Sequence, residues 1–499
     1  MPHKYGGEPS ATRRSTGFGF TEYPGGRSFL LQKLWNKDLE TFSYTEGIDY
    51  KNGDRRLVDV INVDEVISFL GPKVINFGFS SSSFSRIPTL LSSLYSNHVR
   101  RDSPENRISM YDWTAFTHLT SLTIFLLPTR IDTLELSPNL LKLSITCARF
   151  DDINRISFPP GIVDLELDSC GITLTASWLK PARLKRLSLA SNDLSSFNDS
   201  LPCCEYLNLF SNPSLKKLEI EAPVLEHINL SYAEFTSIPK LPDSLQVLII
   251  NTFNLTLSHE YELPSSLKVL DLSDSTVLIL QDYTFTPSIE ELNLGQIELL
   301  KMSGVKFAQG SRLKELILSN TCLTTMDEED LITYEDRLEE YDITTLDDGI
   351  IELPPGLKAL KLQGMNLQNI DDFTIPQSAT ILDLGESDLK SFEVKSHIET
   401  LYLNDNPIRD NFVVHEDLEL RVLDLEGVGI RMFSFEMVKA EKLAQLRLGS
   451  EVEMIDLSKM PANFQILEHQ DGGNCTLKEP DTGQSYIYGP LMTRISLRY

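Results

Sequence analysis

The sequence predicts a solenoid of short repeats in which parallel strands line a concave face and mostly extended segments, with few helices, return along the back. Three observations predict it. One LxxLxL register recurs through most of the chain, its spacing stays near 22 residues, and a proline often stands two or three residues ahead of it. The register starts at Leu119, Leu140, Ile162, Leu184, Cys204, Leu225, Leu245, Leu267, Ile289, Leu313, Leu338, Leu357, Ala379, Ile398, Leu420, Leu443 and Phe464, a mean spacing of about 21.6 residues. In LxL, alternation along a strand sends both apolar side chains to one face, and one repeat alone cannot bury that face. Stacked neighbours can.

The return limb is read from Pro159, Pro181, Pro202, Pro223, Pro242, Pro264, Pro287, Pro354 and Pro376. Proline fixes φ and removes a donor, which argues against helix and for extended segments. Copies such as LKRLSLASNDL (Leu184 to Leu194), LKVLDLSDSTV (Leu267 to Val277) and IETLYLNDNPI (Ile398 to Ile408) resemble the leucine-rich-repeat family, whose pattern is LxxLxLxxNxL. That resemblance covers 119–470 and implies an α/β-type horseshoe of about 17 repeats, a motif specific for fold and nearly silent about function. The family's asparagine position falls on Asn192, Asn212 and Asn406, where an amide can satisfy the backbone of the adjoining turn. Elsewhere the slot holds Cys170, Ser275, Thr321 or Ser387. LPDSLQVL, LPSSLKVL and LPPGLKAL are similar to the short repeats of bacterial effectors and lower-eukaryotic proteins. Effectors of that type that ligate ubiquitin carry a catalytic domain after the repeats, and only about 30 residues follow here.

A chain of 499 residues would ordinarily hold about three domains, but a repeat array grows by adding neighbours to one extended core. Residues 1–28, rich in Gly, Ser and Arg, are expected to be disordered. Residues 29–118 are read as an N-terminal cap or divergent repeats, since Val74, Phe77 and Phe79 repeat the apolar spacing, and 471–499 as a C-terminal cap. MDEEDLITYEDRLEEYD (Met326 to Asp342) forms an acidic bulge, a solvated loop or a docking site for Lys and Arg.

With 45 Lys and Arg against 72 Asp and Glu, the formal charge is −27. Nucleic acid and anionic membrane are disfavoured as partners, and a basic protein is the natural opposite. Six irregularly spaced cysteines and the lack of an apolar leader are expected of a reduced compartment, the cytoplasm or the nucleus. Histidines are scattered, no GxSxG, HExxH or phosphate-binding loop occurs, and no enzyme, metal or cofactor is expected. Cys203-Cys204 suggests redox or metal work, yet Cys204 occupies an apolar repeat position and reads as a small buried hydrophobe.

If the LxL leucines point inward, their neighbours form the binding face. Asp164, Glu166, Asp168, Asp271, Glu291, Glu315, Glu340, Asp342, Asp383, Asp424, Glu426 and Glu468 are the acids expected there, against Lys142, Arg186, Lys361 and Arg447. Tyr206, Phe210, Val247, Ile249, Val269 and Ile317 are expected to form a central apolar patch, with Tyr402 further along. Sixteen steps of about 4.8 Å give a face on the order of 77 Å long, suited to a protein and too open for a metabolite. The function expected is an acidic scaffold for a partner protein. Two alternatives share the fold: the substrate-recognition subunit of an SCF-type ubiquitin ligase, with a Skp1-like adaptor on residues 29–118, and a regulator of a small GTPase or phosphatase. SFLLQKLWNKDLETF (Ser28 to Phe42) is a weak match to the first.

Overall fold

The computed structural model describes residues 119–173, 183–323 and 351–469 apart from short breaks, with isolated strands on either side. Two compact units meet in sequence at Glu234 and Phe235, and each is a parallel-strand solenoid.

In the first unit, strands Ser121–Ile131, Lys142–Phe150, Asp164–Asp168, Arg186–Ser188, Tyr206–Asn208 and His227–Asn229 pair in chain order, all parallel. Their register stacks Leu122, Leu143, Leu165, Leu187, Leu207 and Ile228 in one column, each no more than 1% exposed. Burying such a side chain contributes roughly 1.5–3 kcal/mol, so every rung adds to a continuous core. Upstream, Gly17–Phe20, Thr41–Glu46 and Asn76–Ser81 join the same ladder, with Phe77 and Phe79 opposite Leu122 and Ile124. The segment expected to be disordered therefore holds a strand at Gly17–Phe20. Thr41 and Phe42, which end the stretch compared with an adaptor-binding module, are strand residues rather than helical ones.

The second unit repeats the design with strands Val247–Ile249, Val269–Asp271, Glu291–Asn293, Glu315–Ile317, Ala359–Lys361, Ile381–Asp383, Thr400–Tyr402, Val422–Leu425, Gln445–Leu448 and Ile466–His469. Glu315–Ile317 pairs directly with Ala359–Lys361, so no rung stands between them. The register start expected at Leu338 lies outside the described residues. At the far end Arg494–Ser496 pairs antiparallel with Ile466–His469, reversing the strand direction where the array stops. A paired edge offers no template to another chain.

The prolines have a definite task. Pro159, Pro242, Pro264, Pro354 and Pro376 each accept, on their carbonyl oxygens, the N–H three residues on, that of Ile162, Leu245, Leu267, Leu357 and Ala379. Each such turn delivers the first apolar residue of the next repeat. The return limbs are extended and pair among themselves, as Asn254–Ser258, Val277–Gln281 and Leu299–Ser303 do. Among the described residues the only α-helix is Phe435–Val438, beside a 3-10 turn at Ile153–Arg155.

After most strands the chain turns inward through a residue with positive φ, among them Ser191, Ser211, Asp274, Asn320, Glu386 and Asp405. The next residue occupies the asparagine slot. Asn192 accepts from the N–H groups of Cys170 and Ile172 at 2.9 and 3.0 Å and donates to the carbonyls of Leu167 and Leu189 at 2.8 and 2.9 Å. Asn212 and Asn406 do the same between their rungs, accepting from Leu194 and Leu389. One buried amide thus ties two consecutive turns. Where the slot holds a hydroxyl the web thins: Ser275 donates to Leu272 and accepts from Thr252, and Thr321 donates to Leu294 and accepts from Ile297.

Asn192→Ala would leave buried donors and acceptors unmet, each worth about 1–3 kcal/mol. Urea unfolding is expected to show a loss of about 3 kcal/mol for it and clearly less for Ser275→Ala; equal small losses would contradict the tie.

Candidate functional site

Almost every strand alternates a half-exposed, a buried and a half-exposed residue, so each unit presents two outward rows beside its leucine column. In the first unit one row runs Lys142, Asp164, Arg186, Tyr206, His227 and the other Ser144, Glu166, Ser188, Asn208, Asn229. Lys142 and Arg186 lie 3.4 and 4.0 Å from Asp164. The guanidinium of Arg186 sits 4.1 Å above the Tyr206 ring, whose other neighbour, the His227 imidazole, stacks at 4.7 Å. Burial pushes the His227 pKa down, and the Arg186 charge adds to this. Phe210 meets Tyr232 edge to face at 5.2 Å, and Tyr232 remains 46% exposed although its φ of 56° is one that side chains rarely adopt.

In the second unit the rows are Val247, Val269, Glu291, Glu315, Ala359, Ile381, Thr400, Val422, Gln445, Ile466 and Ile249, Asp271, Asn293, Ile317, Lys361, Asp383, Tyr402, Asp424, Arg447, Glu468. Val247 stands in register with Val269, and Ile249 shares their end of the face. Ile317 stands apart, separated from Ile249 by Asp271 and Asn293. Tyr206 and Phe210 belong to the first unit. Within the second unit, Val247, Val269 and Ile249 adjoin one another and Ile317 does not adjoin them in the row. Asp342 and the acidic bulge lie outside the described residues.

Several of the expected partner-facing acids hold the fold as well. The side-chain oxygens of Asp271, Asp383 and Asp424 accept the backbone N–H two residues on, from Ser273, Gly385 and Glu426, at 3.0, 3.1 and 3.0 Å. Asn208, Asn229 and Asn293 make the same bond without a charge. Asp168 accepts instead from the Ser188 hydroxyl and the Ala190 N–H, at 2.7 and 2.9 Å. An Asp or Asn at the strand end satisfies the donor that the turn would otherwise leave open.

Every cation on the rows is met by a carboxylate: Lys361 by Glu315 at 2.6 Å, Arg447 by Asp424 at 3.0 Å and Glu468 at 3.1 Å. Glu166, Asp271, Glu291 and Asp383, in contrast, have no cationic group within ion-pair distance among the described residues. Burial raises the pKa of Glu166, with Asp168 adding to it, and that of Glu291, with Glu315 and Asp271 adding to it. Asp168, Asp383 and Asp424 are raised by burial against the hydrogen bonds they accept.

Opposite charges one repeat apart also pair beside the rows, as Lys185 does with Glu205 at 2.7 Å and Arg421 with Glu399 at 3.3 Å. The sequence reading missed these, although the signal is there: Lys or Arg in one repeat and Glu at the same register position in the next. Exposed pairs of this kind contribute about 0–1 kcal/mol. Their effect is on register.

The Cys204 thiol donates to the Tyr206 carbonyl at 3.2 Å, and burial pushes its pKa up to about 11 and that of Cys170 up to about 12, which keeps both as thiols. Among the described residues no group of three or more His, Cys, Asp or Glu side chains could hold a metal, and no helix is long and apolar enough to cross a membrane.

No family model and no curated protein matches this chain. Among solved structures it is similar to leucine-rich-repeat proteins. The leucine-rich effector YopM of Yersinia pestis aligns at 19% identity and a TM-score of 0.46 over 69% of this chain and 88% of that one. YopM of Yersinia enterocolitica aligns at 17% and 0.46 over 89% and 86%. The circular leucine-rich-repeat protein CroV588 aligns at 13% and 0.29 over 92% and 89%. Among the described residues the fold is a parallel-strand solenoid with almost no helix.

Two expectations follow from the strand-end acids. Asp271→Asn keeps the turn bond and should leave urea stability within about 0.5 kcal/mol, whereas Asp271→Ala should cost about 1 kcal/mol; the reverse order would refute the capping role. The raised carboxyls bind protons more tightly in the folded chain than in the unfolded one. Their contribution to stability therefore grows as pH falls from neutrality toward ordinary carboxylate values of about 4. Calorimetry should give a higher Tm at mildly acidic than at neutral pH, before stability drops below that range, where carboxylates held low, such as Asp456 at about 2 beside Lys478, become protonated. A Tm that falls steadily on acidification from neutrality would contradict this.

Proposed function

We propose that the chain is a protein-binding scaffold whose outward strand rows hold a partner with a basic surface. The observation that carries this reading is the asymmetry of the rows: each cation is met by an acid, while Glu166, Asp271, Glu291 and Asp383 have no cationic group within ion-pair distance among the described residues, although Arg186 acts on Glu166 and Lys361 on Glu291 and Asp383 from further away. Glu166 stands among Asp164 and Asp168 and Glu291 among Asp271 and Glu315, like charges that raise their pKa in a chain of net charge −27, so bringing Lys or Arg to them relieves a standing electrostatic cost. Steering and specificity, more than raw affinity, are what such complementarity supplies. Rows of this openness suit a folded surface, and the half-exposed Val247, Val269 and Ile249 offer apolar contact beside Asp271.

The test is charge and salt on a partner purified with the full chain. Glu291→Lys and, separately, Glu166→Lys are expected to weaken binding about tenfold, and the intact complex to weaken steeply as salt rises past the screening range. Unchanged affinity in both variants together with salt-independent binding would overturn the proposal.

A further inference from the structure

On the second unit the row Tyr402, Asp424, Arg447, Glu468 surrounds a hollow of about 100 Å³, completed by Val422, Gln445 and Ile466. It exists because Asp424 is short and is drawn down between two long neighbours: one carboxylate oxygen caps the Glu426 N–H at 3.0 Å and the other accepts from Arg447 at 3.0 Å. Only 4% of Asp424 is exposed, so its charge is spent inside the wall. Arg447 is clamped from the other side by Glu468, through Nε at 3.2 Å and a terminal nitrogen at 3.1 Å. A guanidinium carries five N–H donors, and these three bonds leave one on each terminal nitrogen for a further acceptor.

We propose that this hollow is an anchor site for an uncharged carboxamide, the side chain of a Gln or Asn presented by the partner protein. The inference rests on the protein-binding reading of the face and names one contact within it. The carbonyl oxygen of an amide suits the spare guanidinium donors, its NH2 suits the Gln445 side-chain oxygen, and its flat body fits against Tyr402, Val422 and Ile466. A carboxylate would meet Asp424 and Glu468. An ammonium would meet Arg447 and find Asp424 only 4% exposed and held by the Glu426 N–H and Arg447. The space is that of several water-sized groups, enough for a side-chain tip and too small for an aromatic ring with its shell. Tyr and Arg in a walled hollow are also the residue types that dominate binding energy at interfaces.

Saturation-transfer NMR on the full chain tests this with three probes: N-acetylglutaminamide, the corresponding glutamate derivative and the lysine derivative. The glutamine probe should give the strongest transfer, about tenfold above the other two, with millimolar affinity as befits so small a ligand. Arg447→Met should abolish that preference while Lys442→Met, outside the hollow, leaves it intact; circular dichroism establishes that both variants are folded. Glu468→Gln removes one repelling carboxylate and should raise the glutamate signal toward that of glutamine, a change that holds even if Arg447→Met fails to fold. Equal transfer from all three probes, a preference for lysine, or a glutamine signal unmoved by Arg447→Met in folded protein would overturn the proposal. Because no partner is used, failure here leaves the salt test of the scaffold reading standing, and the converse also holds.

Discussion

Everything in this fold depends on one constraint: each LxL pair must sit directly over the pair in the preceding repeat, and the turn that follows must close without orphaning its backbone. The leucine column meets the first demand, as the near-complete burial of Leu143, Leu165, Leu187 and their equivalents shows. The asparagine slot meets the second. An amide at Asn192 bonds its own turn and the one before it, so the polar web has the same period as the apolar one. Side chains that lack this reach, such as Ser275, keep the turn but tie fewer groups. The irregular family pattern thus maps onto an uneven web in which the rungs around Asn192, Asn212 and Asn406 are the most firmly joined.

The same constraint shapes the candidate face. A residue at the strand end must cap the turn, and Asp or Asn serves equally in that role; choosing Asp adds a charge at no cost in geometry. Asp271, Asp383 and Asp424 are such choices; Asn208, Asn229 and Asn293 are the neutral ones. Acidity on the face is therefore partly a by-product of capping. What capping does not account for is Glu166 and Glu291, which lie at neither a turn nor an ion pair and are held above the ordinary carboxylate range by burial and like charge. These two are the strongest pointers to a basic partner.

Much of this was legible in the residues because period and alternation are local properties. The leucine register, the asparagine slot and the proline-marked return limbs all follow from spacing alone. Leu338 fits the apolar template but lies outside the described residues, and spacing alone does not reveal that Glu315–Ile317 pairs with Ala359–Lys361. Spacing likewise does not say which side chains adjoin on the face: two rungs, Asp271 and Asn293, stand between Ile249 and Ile317. The ion pairs between repeats, and the hollow over Asp424, need two repeats to be compared at one position. Strand-end capping needs the direction of the Asp side chain, which no spacing reveals.

The central claim is that rungs follow one another in this order at strand spacing. Nitroxide labels at Glu291 and Val422, both on one outward row of the second unit, measure it directly. Five steps lie between them, through Glu315, Ala359, Ile381 and Thr400. Dipolar spectroscopy should return a narrow distribution centred near 24 Å, five spacings of about 4.8 Å. A distance near 29 Å would mean an additional rung, and a broad distribution would mean no fixed ladder; either result contradicts the account.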